Sequence, residues 1–144
     1  ALADIHNSNI FLFVTAYALS TIAMVVVNTA VNDDTDSLAN WEGIAWRNPL
    51  VGVALVLALF SLAGIPPLAG FFGKFSLIWS AAPHVPYTAI LALIASVIGA
   101  FVYLRLMISA LNKPKVTLPI HLSFEQVLVL VLTTLATLGA LYFI

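Results

Sequence analysis

Cysteine is missing from all 144 residues. Without it the chain can form no disulfide, no thiolate metal site and no iron–sulfur ligation of its own. Charge is nearly as scarce, at 8% of the sequence with a net charge of −1, where soluble domains carry roughly 25%. So little charge gives no basic surface for a nucleic acid. With 62% of residues hydrophobic, composition alone makes this a membrane protein. The three histidines, His6, His84 and His121, lie far apart, each near a segment end. No His, Asp or Glu grouping has metal-ligand spacing, so neither a metal nor a redox cofactor is expected. There is no nucleophile with its base, and Gly64 and Gly70 are not spaced as a phosphate loop. The opening ALADIHNSN lacks an initiator Met, a basic n-region and a cleavage-site pattern. The expectation is that an upstream segment was removed or that the chain is a piece of a longer polypeptide.

What is present is long apolar runs. A spanning helix needs about 20 apolar residues, and candidates lie at about 10–27, 50–82, 86–111 and 124–144. The sequence therefore predicts a single all-α transmembrane domain of four spans, a fragment of a larger helix bundle. As one straight helix the second run would be roughly 50 Å long against a hydrocarbon core of about 30 Å. Inside it lies GIPPLAGFFGKF. Pro66 and Pro67 remove backbone donors, and Gly64 and Gly70 free the backbone on either side, with Gly73 following. The expectation is two half-helices joined by unwound chain between Gly64 and Gly70. If this segment crosses, Arg47, Lys113 and Lys115 share one side and the other side has no Lys or Arg; the positive-inside rule favours crossing. Trp41 and Trp46 then flank one interface, and Trp79, Tyr87 and Tyr142 the other.

Lys74 stands just beyond the break. Unwound backbone at membrane depth is tolerated where it is buried in protein or lines water, and an intramembrane lysine normally faces a bundle interior or polar cavity. A desolvated lysine can exist neutral as well as charged, and so can take and release a proton. The alternative from physics alone is a lysine that snorkels to the nearer interface as an anchor. Arg105 stays charged, so it reads as a structural or snorkelling cation, or as a supporting charge. Tyr17, Ser20, Thr21, Met24 and Asn28 fall on one helical face, as do Ala92, Ser96, Gly99 and Tyr103; both faces read as helix-packing surfaces. Thr133 and Thr137 are expected to bond their own backbone or a neighbour. Asp33, Asp34 and Asp36 lack the glycine and distal glutamate of a calcium loop and read as a solvated loop. Glu125 suits a helix N-terminus, with Ser123 as N-cap.

FSLAGIPPLAGFFGKF, residues 60–75, resembles the most recognisable segment of the antiporter-like membrane subunits of respiratory complex I. Within that family it is most similar to subunit N of NADH:quinone oxidoreductase, the counterpart of mitochondrial NADH dehydrogenase subunit two. DTDSLANWEGIAWRNPL upstream resembles the family's acidic loop. VYLRL downstream resembles its YYYLRV segment, from which Phe101 and Val102 depart. The resemblance implies the last four helices of an antiporter-like subunit, with GIPPLAG as the break of a discontinuous helix and Lys74 as a proton-relay residue. It also implies that the other relay residues lie on helices upstream of Ala1, supplied by another chain or segment.

The resemblance further implies a non-redox, proton-translocating subunit of an NADH:ubiquinone oxidoreductase. NADH, FMN, iron–sulfur clusters and quinone would be bound by other subunits, and the partners would be other membrane-arm subunits and membrane lipids, with no nucleic acid. The location would be the mitochondrial inner membrane, or alternatively a bacterial plasma membrane. The alternatives are a subunit of an Mrp-type cation/proton antiporter, or a structural membrane-arm piece that no longer pumps.

Overall fold

The computed structural model of the chain describes residues 2–31, 38–66, 68–114 and 120–139. Asp33, Asp34, Asp36, Pro67, Lys115, Tyr142 and the side chain of His6 lie outside the described part. Among the described residues the regular structure is entirely helical. The elements are α1 (Leu2–Val31), a 3-10 turn (Leu38–Trp41), α2 (Ile44–Arg47), α3 (Pro49–Ala63), α4 (Ala69–Ala81), α5 (Pro86–Leu111) and α6 (Phe124–Gly139).

Local chemistry explains most of these bounds. α1 runs beyond the apolar stretch 10–27 at both ends because no Pro or Gly interrupts residues 2–31. Asn48 caps α3, accepting from the amides of Leu50 (3.2 Å) and Val51 (3.4 Å), and Pro49 fills a first-turn position where no amide donor is needed. Pro86 does the same for α5. α6 opens with a reciprocal capping box. The Ser123 hydroxyl accepts from the Gln126 amide at 3.3 Å, and the Gln126 side chain accepts from the Ser123 amide at 2.9 Å. Ser123→Ala should therefore cost about 1 kcal/mol of local stability. Hydrogen–deuterium exchange at the Gln126 amide should speed up roughly fivefold; an unchanged rate would mean the cap does not hold this end.

The segment between α1 and α3 is more than a polar loop. Trp41 (7% exposed) and Ile44 (0%) lie in the main core with Ala23, Val27, Val51, Leu55 and Leu59. Trp41 is thus a packed residue and not a surface anchor, whereas Trp46 is exposed. The Trp46 indole donates to the Leu111 carbonyl at 2.8 Å, and the Gly43 amide to the Ser109 carbonyl at 3.1 Å. These bonds tie α2 and the residue before it to the end of α5. Gln126 donates to Thr29 at 3.4 Å, which brings the start of α6 to the end of α1.

The same logic orders the two half-helices. The C-terminal half of α1, through Ala23, Val27 and Val31, shares the core with α3. Its N-terminal half meets α4, where Phe13 lies against Gly73. α3 and α4 therefore follow one another along α1, and along α5 in the opposite sense to its chain direction. Each half is short, about 22 and 20 Å, against a membrane core of about 30 Å. By length and composition, Ile10–Val31 and Pro86–Leu111 are each sufficient to cross a membrane; Pro49–Ala63 and Phe124–Gly139 are shorter apolar helices.

Small residues set the spacing. The buried seam of α1 is Ala16, Ser20, Ala23 and Val27, at helical periodicity. Ser20 is the member of the expected polar face that the seam buries; Tyr17 and Thr21 are exposed. Close approach of backbones through small side chains is the usual basis of helix packing where burial from water supplies little drive.

Candidate site at the helix break

The double proline determines the chemistry of the break. α3 ends at Ala63, and Gly64 takes the left-handed conformation (φ 71°, ψ 46°). The amide of Ile65 donates to the Phe60 carbonyl (3.1 Å) and that of Gly64 to the Ser61 carbonyl (3.1 Å), the paired bonds of a Schellman turn. Two carbonyls remain. The next amide that would close on Leu62 belongs to Pro66, and the one for Ala63 to Pro67; proline has no N–H. The sequence thus leaves both carbonyls without their helical donors.

Lys74 supplies one of them. Its ammonium donates to the Leu62 carbonyl at 3.1 Å. The head therefore turns back toward the break, away from the C-terminal end of α4 where a snorkelling lysine would reach water. It lies at the C-terminal end of α3, where the helix macrodipole is negative and a cation is favoured.

Two glycines make this approach possible, in a way different from that expected. Gly70 does not loosen the backbone: it lies inside α4 and is buried. A methyl placed on it would come within 2.8 Å of the Ser61 hydroxyl and collide with the Ser61 carbonyl. Gly73 is likewise helical, and a methyl there would lie 2.8 Å from the Cα of Phe13 on α1. These glycines hold α4 close to α3 and α1, which brings Lys74, one turn beyond Gly70, onto the end of α3. Of the break residues, only Gly64 uses glycine's freedom of φ. Pro66 is exposed.

Beside the ammonium is an open, mainly apolar groove of about 260 Å³ between the break, α4 and α5, lined among others by Ala63, Gly64, Phe71, Lys74, Ser96 and Ala100. Phe71, Phe75 and Trp79 form a stacked series along α4, with centroid separations of 5.7 and 5.9 Å. Arg105 is not brought to this place. It is exposed on α5 and does not line the groove; it lies five residues past Ala100, about 7–8 Å farther along the helix. Nearer the end of α5 that meets α2, the Tyr17 and Tyr103 hydroxyls meet at 3.3 Å, joining α1 to α5. In the sequence both tyrosines read as packing residues, and only the spatial arrangement pairs them.

Comparison with known proteins sets this geometry in context. The profile of a family described as NADH:quinone oxidoreductase/Mrp antiporter, TM, matches residues 3–99. NADH-quinone oxidoreductase subunit N of Desulforamulus reducens is 34% identical over 125 residues, covering 85% of this chain and 26% of the relative. NAD(P)H-quinone oxidoreductase subunit 2 of Gloeobacter violaceus is 36% identical over 103 residues, covering 69% of this chain and 20% of the relative. A chain in the structure of respiratory complex I from Thermus thermophilus with bound aureothin superimposes with a TM-score of 0.80 at 28% identity. That match covers 90% of this chain and 31% of the other. The chain thus spans between a fifth and about a quarter of the length of these two relatives.

Proposed function

The chain belongs to the NADH:quinone oxidoreductase/Mrp antiporter family of membrane proteins, and on that premise we propose that it is the C-terminal part of a proton-translocating, subunit-N-like component of the membrane arm of complex I. In this reading α1, the broken pair α3–α4, α5 and α6 make four crossings. Lys74 carries the proton. The observation that carries the proposal is the ammonium on the Leu62 carbonyl at the break. A cation is held there by a single neutral acceptor and a helix end, beside an open groove, with no carboxylate pairing to fix its charge among the described residues.

The chemistry follows from that placement. Protonated, Lys74 is drawn to the negative end of α3. Neutral, it loses the charge-assisted part of that bond, and the resulting amine is free to take a proton from another side. A second charge arriving or leaving elsewhere in the low-dielectric interior changes the balance between the two forms. No redox step takes place in this chain on this account; NADH, FMN, iron–sulfur clusters and quinone belong to other subunits. The remaining relay groups come from the helices that precede this part in longer relatives. The membrane is the mitochondrial inner membrane or a bacterial plasma membrane, according to where the complex resides.

A cation/proton antiporter subunit is the second reading, because the family includes both kinds of assembly. Purification from the native membrane in mild detergent separates the two. The complex I reading expects flavin- and iron–sulfur-containing subunits to accompany the chain. Recovery with antiporter subunits alone, free of flavin and iron, would overturn it.

A further inference from the structure

The last turn of α3 holds a buried hydroxyl with no partner, and we infer that Ser61 is a positioning residue for Lys74. Its hydroxyl caps α4 once α4 shifts off the end of α3, and so favours release of Lys74 from Leu62. The consequence for turnover rests on the proton-relay reading of Lys74.

The first observation is the state of the hydroxyl. Four polar side chains are buried among the described residues: Ser20, Ser61, Thr133 and Thr137. Three of them donate to the carbonyl four residues back in their own helix, at 2.7–2.8 Å. Ser61 does not, although it is only 2% exposed. Thr134 also has an oxygen without a partner, but it lines an open groove between α3 and α6, where lipid or another chain has access. Ser61 lies between helices of this chain, shut off from both.

The second is what faces it. Gly70 of α4 lies so close that a methyl on it would come within 2.8 Å of the Ser61 hydroxyl and strike the Ser61 carbonyl. Glycine backbone therefore fills the space in front of the hydroxyl and leaves no room there for a water. α4 begins at Ala69 with no side-chain cap, and the first amides of a helix have no acceptor within it. A serine oxygen is a favoured acceptor for such amides. An unpartnered hydroxyl and an uncapped helix start thus lie side by side, a small shift from bonding.

The third is register. Gly70 and Lys74 are one turn apart on one face of α4. The residues they meet, Ser61 and Leu62, are adjacent at the end of α3. The two contacts therefore form and part together. With Lys74 charged, its bond to Leu62 holds α4 against α3. With Lys74 neutral that bond weakens, and the unmet hydroxyl tips the balance toward the shifted arrangement. A buried polar group left unsatisfied is costly enough to change such a balance about fivefold or more.

The test uses the intact assembly, in sealed proteoliposomes for translocation. Ser61→Ala removes the unmet group and keeps a small side chain. It should raise the melting temperature of the purified assembly, yet lower proton translocation about fivefold. A residue that served packing alone would move both downward or neither. In the Lys74→Met background, Ser61→Ala should still raise the melting temperature, with no further change in protons moved per NADH. A melting temperature at or below that of wild type would overturn the inference, as would a raised one with wild-type translocation.

A labelling experiment tests the shift itself. Because the chain has no cysteine, Ser61→Cys places a single thiol at the α3–α4 contact for this chain's mass to report. During NADH oxidation, methyl methanethiosulfonate should modify it several-fold faster than it modifies Ala58→Cys, whose position is also buried on α3. Equally slow labelling of the two would show that the contact stays shut and would overturn the inference. Wild-type translocation by Lys74→Met would instead remove the relay reading, and the labelling contrast would still decide whether α4 parts from α3.

Discussion

Gly70→Ala is expected to separate α4 from α3 and to cut sharply the amount of assembled protein. Two effects oppose each other at this position. In a free helix, alanine would be favoured over glycine by about 1 kcal/mol. Here the added methyl would strike the Ser61 carbonyl, which is backbone within α3 and cannot turn aside as a side chain can. Overpacking of cores typically costs about 1–3 kcal/mol, and contact with fixed backbone belongs at the upper end of that range, so the clash outweighs the propensity gain. The displaced α4 would also carry the Lys74 ammonium off Leu62. Thermal stability of the purified assembly and its yield on a native gel measure the effect. Wild-type values for Gly70→Ala would mean that α4 does not lie against Ser61 as described.

Lys74→Met should behave in the opposite manner, leaving assembly nearly intact and stopping function. Methionine keeps the length and fits an apolar surround. It leaves the Leu62 carbonyl without its donor, which costs about 1–3 kcal/mol, and it also removes the cost of holding an intramembrane charge, itself a few kcal/mol. These terms largely cancel. If Lys74 carries the proton as proposed, carriage through the position should be lost, and NADH-driven quinone reduction should fall several-fold. Lys74→Arg makes the argument sharper. A guanidinium can still donate to Leu62 but does not deprotonate, so it should fail to restore turnover. Full restoration by arginine would show that charge alone is needed and that no proton passes through the residue.

How much of this could be read in the sequence depends on how local the cause is. The break was legible because Pro66, Pro67 and Gly64 act within their own turn. The limits of α5 were legible because Pro86 suits a first turn and Asn112 with Pro114 ends the apolar run. Gly70 and Gly73 differ from their sequence expectation. Each looks like a source of backbone freedom when only its neighbours are considered, and each is in fact a contact surface for a residue far off in the chain, Ser61 and Phe13. The acceptor of Lys74 was hidden for the same reason. Leu62 precedes it by 12 residues, a separation that matters only once the chain has folded back at the break. The segment holding Trp41 and Ile44 reads as polar loop because its few apolar residues have no periodicity; tertiary packing alone buries them.

The measurement that bears most directly on the account is the number of protons moved per NADH oxidised by the intact complex in sealed proteoliposomes, wild type against Lys74→Met. If Lys74 carries protons, the variant should move fewer protons per NADH at whatever turnover it retains. An unchanged ratio at an unchanged rate would contradict the account and leave the broken helix as a structural element alone.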